Sequence, residues 1–189
     1  EDGVATATVS RQTGEKLANQ VTSNNSTKAE VNVNTATVPE EMNVVLEEGA
    51  VDALAARTDV PVRVNTPVAD VTLSAAGVDA LAEADGDVTI RLKTDEAGVH
   101  VDLSAGDKPV ESLPGGMTVS IPCADAAPGT VALLVAEDGS TSVVRTSAVV
   151  DGKLVVPVDG LATITWAENS KDFVDGTEEH WANDALDFL

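Results

Sequence analysis

The sequence contains almost no aromatic residues. Tyrosine is absent, and the two tryptophans and two phenylalanines all lie between Trp166 and the last residue, Leu189. Sugar-binding modules and single-strand nucleic acid binders stack rings or bases on aromatic side chains, so residues 1–165 cannot build such a platform. A core without aromatic rings must be filled by Val, Ala, Leu and Ile, and the β-branched members of this set favour sheets.

Cysteine and basic residues are scarce as well. Cys123 is the only cysteine, so no disulfide forms within the chain, and its position after an alternating apolar run predicts a small buried side chain. The 32 Asp and Glu residues outnumber 11 Lys and Arg, which gives a formal net charge of −21. This charge repels nucleic acid phosphates and anionic lipids. We therefore expect no nucleic acid partner, and at most weak binding of divalent cations.

Long apolar runs are missing too. No stretch approaches the ~20 residues that a membrane-spanning helix needs, so we expect no membrane insertion. No signal peptide is visible, because Glu1 already begins inside sequence that is typical of a mature protein. An exported form of this protein would have carried its signal peptide upstream of Glu1.

An internal repeat occupies about residues 43–66 and 70–94. The motif Val-Asp-Ala-Leu-Ala at 51–55 recurs at 78–82, and the apolar alternation that follows it recurs as well. Each copy predicts a strand, a short helix and a second strand, and an earlier stretch has the same order. Residues 1–96 are therefore predicted as an α+β domain, with short helices packed on a mainly antiparallel sheet.

Two glycines lie near predicted helix starts in the repeat copies. Gly49 and Gly77 are expected at tight corners between strand and helix, where a small residue is needed. Neither glycine is followed by the Gly-Lys-Ser/Thr of a phosphate-binding loop.

Residues 97–168 predict strands alone, in an all-β meander or sandwich-like domain. Asp-Gly pairs at 138–139, 151–152 and 159–160 separate alternating apolar runs. Such pairs favour hairpin turns because both residues accept positive φ. Pro157 is expected at a sheet edge or a bulge, since proline cannot donate to a strand ladder.

Catalytic and metal-binding patterns are absent. The histidines are His100 and His180, and neither lies near a candidate nucleophilic serine in the sequence. His100 alternates with apolar neighbours, which predicts a surface histidine on a half-buried strand. The acidic turns at 85–87 and 172–175 lack the spacing of an EF-hand loop, and the ligands for a zinc site are too few. We therefore expect no catalytic residue, cofactor or metal site, and no enzyme.

The last seventeen residues contain the most specific motif of the chain. A Phe-x-Asp pattern is followed by a polar gap and by His-Trp-Ala-x-x-Ala-Leu-x-Phe-Leu. This pattern resembles the opening of an S-layer homology repeat, a family that holds surface proteins on the walls of Gram-positive-type bacteria. The resemblance implies that residues 169–189 are the truncated start of a first repeat, and that cell-wall polysaccharide is bound through repeats beyond this chain. The matching anchor-motif residues are Phe173, Asp175, Trp181, Ala182, Ala185 and Leu186.

The strands upstream resemble a second element of such proteins. Residues 99–103, 113–122 and the turn at 138–139 are similar to a β-rich domain that precedes S-layer homology repeats in bacterial surface proteins. Together the resemblances imply an extracellular location at the cell wall and a non-catalytic structural or spacer module. The alternatives are an accessory domain of an exported polysaccharide- or wall-acting enzyme, and an adhesin module.

Overall fold

The structure is a computed structural model that describes residues 3–124, 126–127 and 129–168. These residues form three short helices and fourteen strands in two mixed sheets, so the predicted α+β class is confirmed, with a strand-rich character. The helices are α1 (Arg11–Asn24), α2 (Glu48–Arg57) and α3 (Ala75–Ala82). The strands are β1 (Val4–Val9), β2 (Ala29–Asn32), β3 (Glu41–Leu46), β4 (Val62–Asn65), β5 (Asp70–Leu73), β6 (Val88–Asp95), β7 (Gly98–Ala105), β8 (Lys108–Pro109), β9 (Met117–Pro122), β10 (Thr130–Val135), β11 (Thr141–Val144), β12 (Ala148–Val150), β13 (Lys153–Val158) and β14 (Ala162–Glu168).

The strands divide between two sheets. The first sheet has the order β1-β3-β6-β7-β14-β10-β11, with β8 paired to β7, and the second has the order β12-β13-β9-β5-β4-β2. The pairs β1–β3 and β2–β4 are parallel. The other strand pairs of the described residues are antiparallel, as in β3–β6 and β4–β5. Pairing over all the described strands is thus mainly antiparallel. The prediction of one mainly antiparallel sheet for residues 1–96 is wrong, because β1 to β6 form two parallel and two antiparallel pairs and lie in two sheets.

The first part of the chain forms three strand–helix–strand arches. Arch 1 is β1-α1-β2, arch 2 is β3-α2-β4 and arch 3 is β5-α3-β6. Each arch starts in one sheet and ends in the other, so its helix bridges the sheets. Arches 1 and 2 run from the first sheet to the second, and arch 3 runs in reverse. The two predicted repeat copies therefore have the expected elements but opposite orientations.

One buried cluster extends through both sheets. Val44 in the first sheet, Val64 in the second and Leu54 in α2 are each at most 1 % exposed and belong to it. The cluster also includes Val119 and Ile164 from the later strands. Burying an aliphatic side chain of this size contributes about 1.5–3 kcal/mol, so this shared core is a main source of stability.

The boundary predicted between residues 96 and 97 falls in the turn that joins β6 to β7. Strands from the two sides of this boundary pair with each other in both sheets, through β6–β7 in the first and β5–β9 in the second. The α+β region and the all-strand region therefore share both of their sheets.

The glycines in the helices allow neighbouring groups to pack closely against them. A Cβ on Gly14 of α1 would lie 2.5 Å from Cα of Ala50 in α2, so the two helix backbones approach closely there. A Cβ on Gly49 would meet Cδ of Arg11 at 2.8 Å, and one on Gly77 would meet Leu113. Neither Gly49 nor Gly77 has a positive φ. The need for a small residue comes from neighbouring groups rather than from a strained corner.

Two of the three Asp-Gly pairs form hairpin turns. The pair at 138–139 joins β10 to β11, and Asp151 and Gly152, with φ of 50° and 72°, join β12 to β13. The prediction is wrong for the third pair, because β13 and β14 lie in different sheets. Gly160 instead passes against the backbone of Glu111, where a Cβ would collide.

Two further side-chain predictions have mixed outcomes. Pro157 lies beyond the end of the short strand β12, where β13 pairs only with β9 among the described strands, so the predicted edge position is confirmed. Cys123 is half-buried rather than buried, and it packs against the rim of the core. Its strand, β9, ends one residue earlier.

Candidate functional site

The predicted anchor motif lies outside the described residues. This applies to Phe173, Asp175, Trp181, Ala182, Ala185 and Leu186, and also to the acidic turn at 172–175. Within the described residues, two clusters of polar side chains contain hydrogen bonds between residues more than 60 positions apart in the sequence. One is centred on His100 in the first sheet and the other on Asp70 in the second.

His100 connects the β6–β7 hairpin to β14. Its Nε2 lies 2.9 Å from Oδ1 of Asp95, and its Nδ1 lies 3.0 Å from Oγ1 of Thr163. An ionised carboxylate can only accept, so Nε2 donates to Asp95, and in the neutral ring Nδ1 accepts the hydroxyl proton of Thr163. The side chain is 28 % exposed. The predicted surface histidine is therefore a half-buried residue with two hydrogen-bond partners.

The electrostatics of Asp95 follow from this arrangement. The hydrogen bond from His100 holds the pKa of Asp95 below its ordinary value, and the backbone N–H of Ala97, 2.9 Å away, lowers the pKa further. Lys93 lies 3.5 Å from the other carboxylate oxygen. Asp95 therefore stays ionised at neutral pH and fixes the hairpin turn.

A surface groove of about 600 Å³ borders the His100 cluster, lined in part by Asp102, Glu137, Leu161 and Thr163. The order hydroxyl, imidazole and carboxylate is that of a hydrolytic triad. Acyl transfer also needs free N–H donors that converge on the substrate oxygen. Thr163 lies within a pleated strand, where successive N–H groups point to opposite sides. The cluster thus suits a clamp between β14 and the hairpin better than an acyl-transfer site.

The second cluster surrounds a buried carboxylate. Asp70 at the start of β5 is 3 % exposed, and its Oδ2 accepts hydrogen bonds from Arg63 Nη2 at 2.8 Å and Lys153 Nζ at 2.6 Å. Arg63 lies on the neighbouring β4, and Lys153 comes from β13 on the far side of β9. Two charge-assisted bonds on one oxygen are strong interactions. Asp70 therefore ties β4, β5 and β13 together across the second sheet.

Little in the sequence indicates these clusters. Asp70 interrupts the apolar run Val68-Ala69-x-Val71, and a charge inside a buried run requires a partner, so this interruption could have identified it. Thr163 offered no comparable signal, because it lies 63 residues from His100.

The acidic turn at 85–87 has a structural role. Oδ1 of Asp87 accepts a hydrogen bond of 3.0 Å from the backbone N–H of Glu48 at the start of α2. Oε2 of Glu47 likewise accepts a hydrogen bond of 2.8 Å from the backbone N–H of Arg11, the first residue of α1. Carboxylates at helix N-termini satisfy free N–H groups and complement the helix dipole. These two acidic residues therefore cap helices of neighbouring arches.

Within residues 3–124, 126–127 and 129–168, no group of three or more His, Cys, Asp or Glu side chains is placed to hold a metal ion. None of the helices in these ranges combines the length and apolar character that crossing a bilayer requires.

Comparison of the chain with protein-family models, with curated proteins and with solved structures gave no match.

Proposed function

We propose that this chain is a non-catalytic structural or spacer module of an exported, cell-wall-anchored bacterial surface protein. The observation that carries the proposal is the motif from Phe173 to Leu189, which resembles the start of an S-layer homology repeat. In this proposal the acidic body stands between the wall anchor and the outward part of the protein. Binding to wall polysaccharide belongs to complete repeats that follow residue 189.

The chemistry of the described residues supports a mechanical role. The clusters around Asp70 and His100 join strands that are far apart in the sequence. Glu41, whose pKa is lowered by the hydrogen bond from Arg91, is part of a partly exposed ion pair with an Nε–Oε1 distance of 3.0 Å. Each of these contacts joins side chains from different strands, and this structural role explains why the residues lie together.

We also infer that the two sheets pack face to face as a sandwich-like body, closed at one end by the helices. The shared buried cluster supports this arrangement. So does the convergence of Leu46 and Leu73, at the ends of β3 and β5, on Leu54 of α2 and Leu81 of α3 around one small apolar gap. A body of this kind keeps its shape under load, because each strand is hydrogen-bonded to its neighbours.

Sedimentation with purified bacterial cell walls tests the anchoring role. The chain extended to complete repeats should be retained on the walls, and the present chain should not. In the extended form, Trp181→Ala should reduce retention, because Trp181 belongs to the anchor motif. Trp166→Ala is the matched control, since Trp166 is a 42 % exposed tryptophan on β14.

Equal retention of the extended and present chains would contradict the proposal. The open reading frame supplies an independent test, because native sequence past residue 189 should complete the repeat. A catalytic domain encoded upstream of Glu1 would instead favour the accessory-domain role.

A further inference from the structure

Arch 1 forms one edge of both sheets. β1 is the outermost strand of the first sheet, and β2 is the outermost strand of the second. Each pairs on one side only, with the corresponding strand of arch 2. The molecule therefore presents two strand edges on the same side, joined by α1.

The edge of β1 is open to pairing. The carbonyl of Gly3 accepts a hydrogen bond from the N–H of Glu41 in β3, and the carbonyl of Val9 accepts one from the N–H of Glu47, the residue after β3. In a parallel pair the N–H and C=O of a residue point to the same neighbour. The backbone groups of Val4, Thr6 and Thr8 therefore point away from β3. The strand, Val-Ala-Thr-Ala-Thr-Val, contains no charged residue and no proline. Charged residues and prolines on an edge strand are the usual means of preventing edge-to-edge association.

The charge of arch 1 also differs from that of the chain. Residues 1–33 contain three cations and four carboxylates, a net charge of −1, in a chain with a formal net charge of −21. The cations are Arg11, Lys16 and Lys28, and the carboxylates are Glu1, Asp2, Glu15 and Glu30. Two acidic copies of the molecule would repel each other over most of their surfaces. Arch 1 lies in the nearly neutral segment 1–33, so two copies can approach there with less local repulsion.

The fold contains a template for such an approach. Arches 2 and 3 join through the antiparallel pairs β3–β6 and β4–β5, so the leading strand of each arch pairs with the returning strand of the other. The same relation between two copies of arch 1 would place β1 of each beside β2 of the other. Both sheets would then continue across a two-fold, self-complementary interface.

We propose that the edge formed by β1 and β2 is a self-association surface whose occupant is a second copy of this chain. Each β1 pairs antiparallel with β2 of the second copy, which satisfies the outward backbone groups of both strands. Main-chain pairing of this kind is an established mode of recognition. The inference goes beyond the spacer role and does not depend on it.

Sedimentation equilibrium over a range of concentrations tests the proposal on the whole chain. The unmodified protein should form a dimer, and Thr6→Pro should weaken the dimer at least about tenfold. Proline removes the outward N–H of Thr6 and none of the β1–β3 hydrogen bonds.

Thr141→Pro is the matched control on the opposite edge of the same sheet. Just before β11, the carbonyl of Ser140 accepts a hydrogen bond from the N–H of Ala136. Hydrogen-bonded and non-hydrogen-bonded pairs alternate in an antiparallel ladder, so the amide of Thr141, opposite Val135, points outward. This variant should dimerise normally. A monomeric unmodified protein, or an unchanged dimer in folded Thr6→Pro, would overturn the proposal.

Amide hydrogen exchange in the unmodified protein provides a second test, which does not depend on whether a variant folds. The amides of Thr6 and Thr8 should exchange more slowly as protein concentration rises, while those of Thr141 and Val143 should not change. Added salt should strengthen the dimer, because it screens the repulsion between acidic copies. Exchange at Thr6 and Thr8 that is independent of concentration would show that this edge stays free.

Discussion

Asp70 differs from the other charged residues in the part of the chain that the structure describes, because it alone is buried. Removing a charge from water is unfavourable, and an ion pair offsets this only when hydrogen bonds satisfy the carboxylate. Arg63 and Lys153 both bond to Asp70, yet their side chains remain 31 % and 39 % exposed. The carboxylate is thus held in the protein while its partners keep contact with solvent.

Replacing Asp70 with Asn should lower the free energy of unfolding by about 2–3 kcal/mol. This is less than the ~3–5 kcal/mol for a fully buried pair, since the partner cations can turn to water. Urea denaturation measures the difference. Asp79→Asn on the exposed face of α3 makes the same chemical change and should have little effect. Equal losses for the two variants would contradict the bridging role.

The His100 clamp has a consequence for the titration of Asp95. Because hydrogen bonding lowers the folded-state pKa of this carboxyl, its stabilising contribution is present above the unfolded pKa. That contribution is lost as pH falls through the folded pKa. His100→Ala should therefore raise the pKa of Asp95 towards its ordinary value.

Carboxyl-carbon NMR titration measures this change directly. Asp138 is the internal control, because its lowered pKa comes from hydrogen bonds with Ser140 and should not respond to His100→Ala. An unchanged pKa for Asp95 would show that the histidine is not its main partner.

At the scale of elements, the arches are held together by close helix contacts. Gly14 and Ala18 of α1 are both buried, and Gly14 faces Ala50 of α2. Small residues permit this approach, while Ser10 and Ser74 cap α1 and α3. Short helices have little stability alone, so their packing and caps fix the arches.

Gly14→Ala should lower stability, whereas Gly49→Ala should leave it unchanged or raise it. Alanine in a helix is ordinarily favoured over glycine by about 0.5–1 kcal/mol. At Gly14 the added methyl meets the backbone of Ala50 and should cost about 1–3 kcal/mol through overpacking. At Gly49 it meets Cδ and Cγ of Arg11, at 2.8 and 3.0 Å, in a side chain that is 73 % exposed and can turn towards solvent, so the contact should cost less than the backbone contact at Gly14.

Thermal denaturation of these two variants measures the contrast. Gly49→Ala should have a midpoint equal to or above that of the unmodified protein, and Gly14→Ala a lower one. A stabilised Gly14→Ala would mean that α1 and α2 can separate at little cost.

At the scale of the whole molecule, the sheets integrate the early and late parts of the chain. Residues 3–96 supply β1 to β6, and the later strands extend both sheets from β6 and β5. The buried cluster takes side chains from both regions. Unfolding one region would expose the core face of the other.

We therefore expect a single unfolding transition. Differential scanning calorimetry should give equal calorimetric and van't Hoff enthalpies, as for a two-state domain. Far-UV circular dichroism should follow the same curve. Two resolved transitions would instead support independent domains at 1–96 and 97–168.

Features that depend on neighbours in the sequence could be predicted from the sequence alone. The aliphatic core, the strand–helix–strand order of the repeat and the hairpins at 138–139 and 151–152 follow from hydrophobic period and turn chemistry. The proposed wall anchor also rests on sequence alone, because its motif lies outside the described residues.

Only the tertiary structure decided which sheet each strand joins. A half-buried strand shows the same alternation of apolar and polar residues in either sheet. The alternation in the sequence could therefore reveal neither that arch 3 runs in reverse nor that the chain crosses between the sheets at Asp159-Gly160. The polar clusters could not be predicted from the sequence for a related reason. Asp70 and Lys153 are 83 residues apart, and a hydrogen bond between them exists only once strands from both parts of the chain lie side by side.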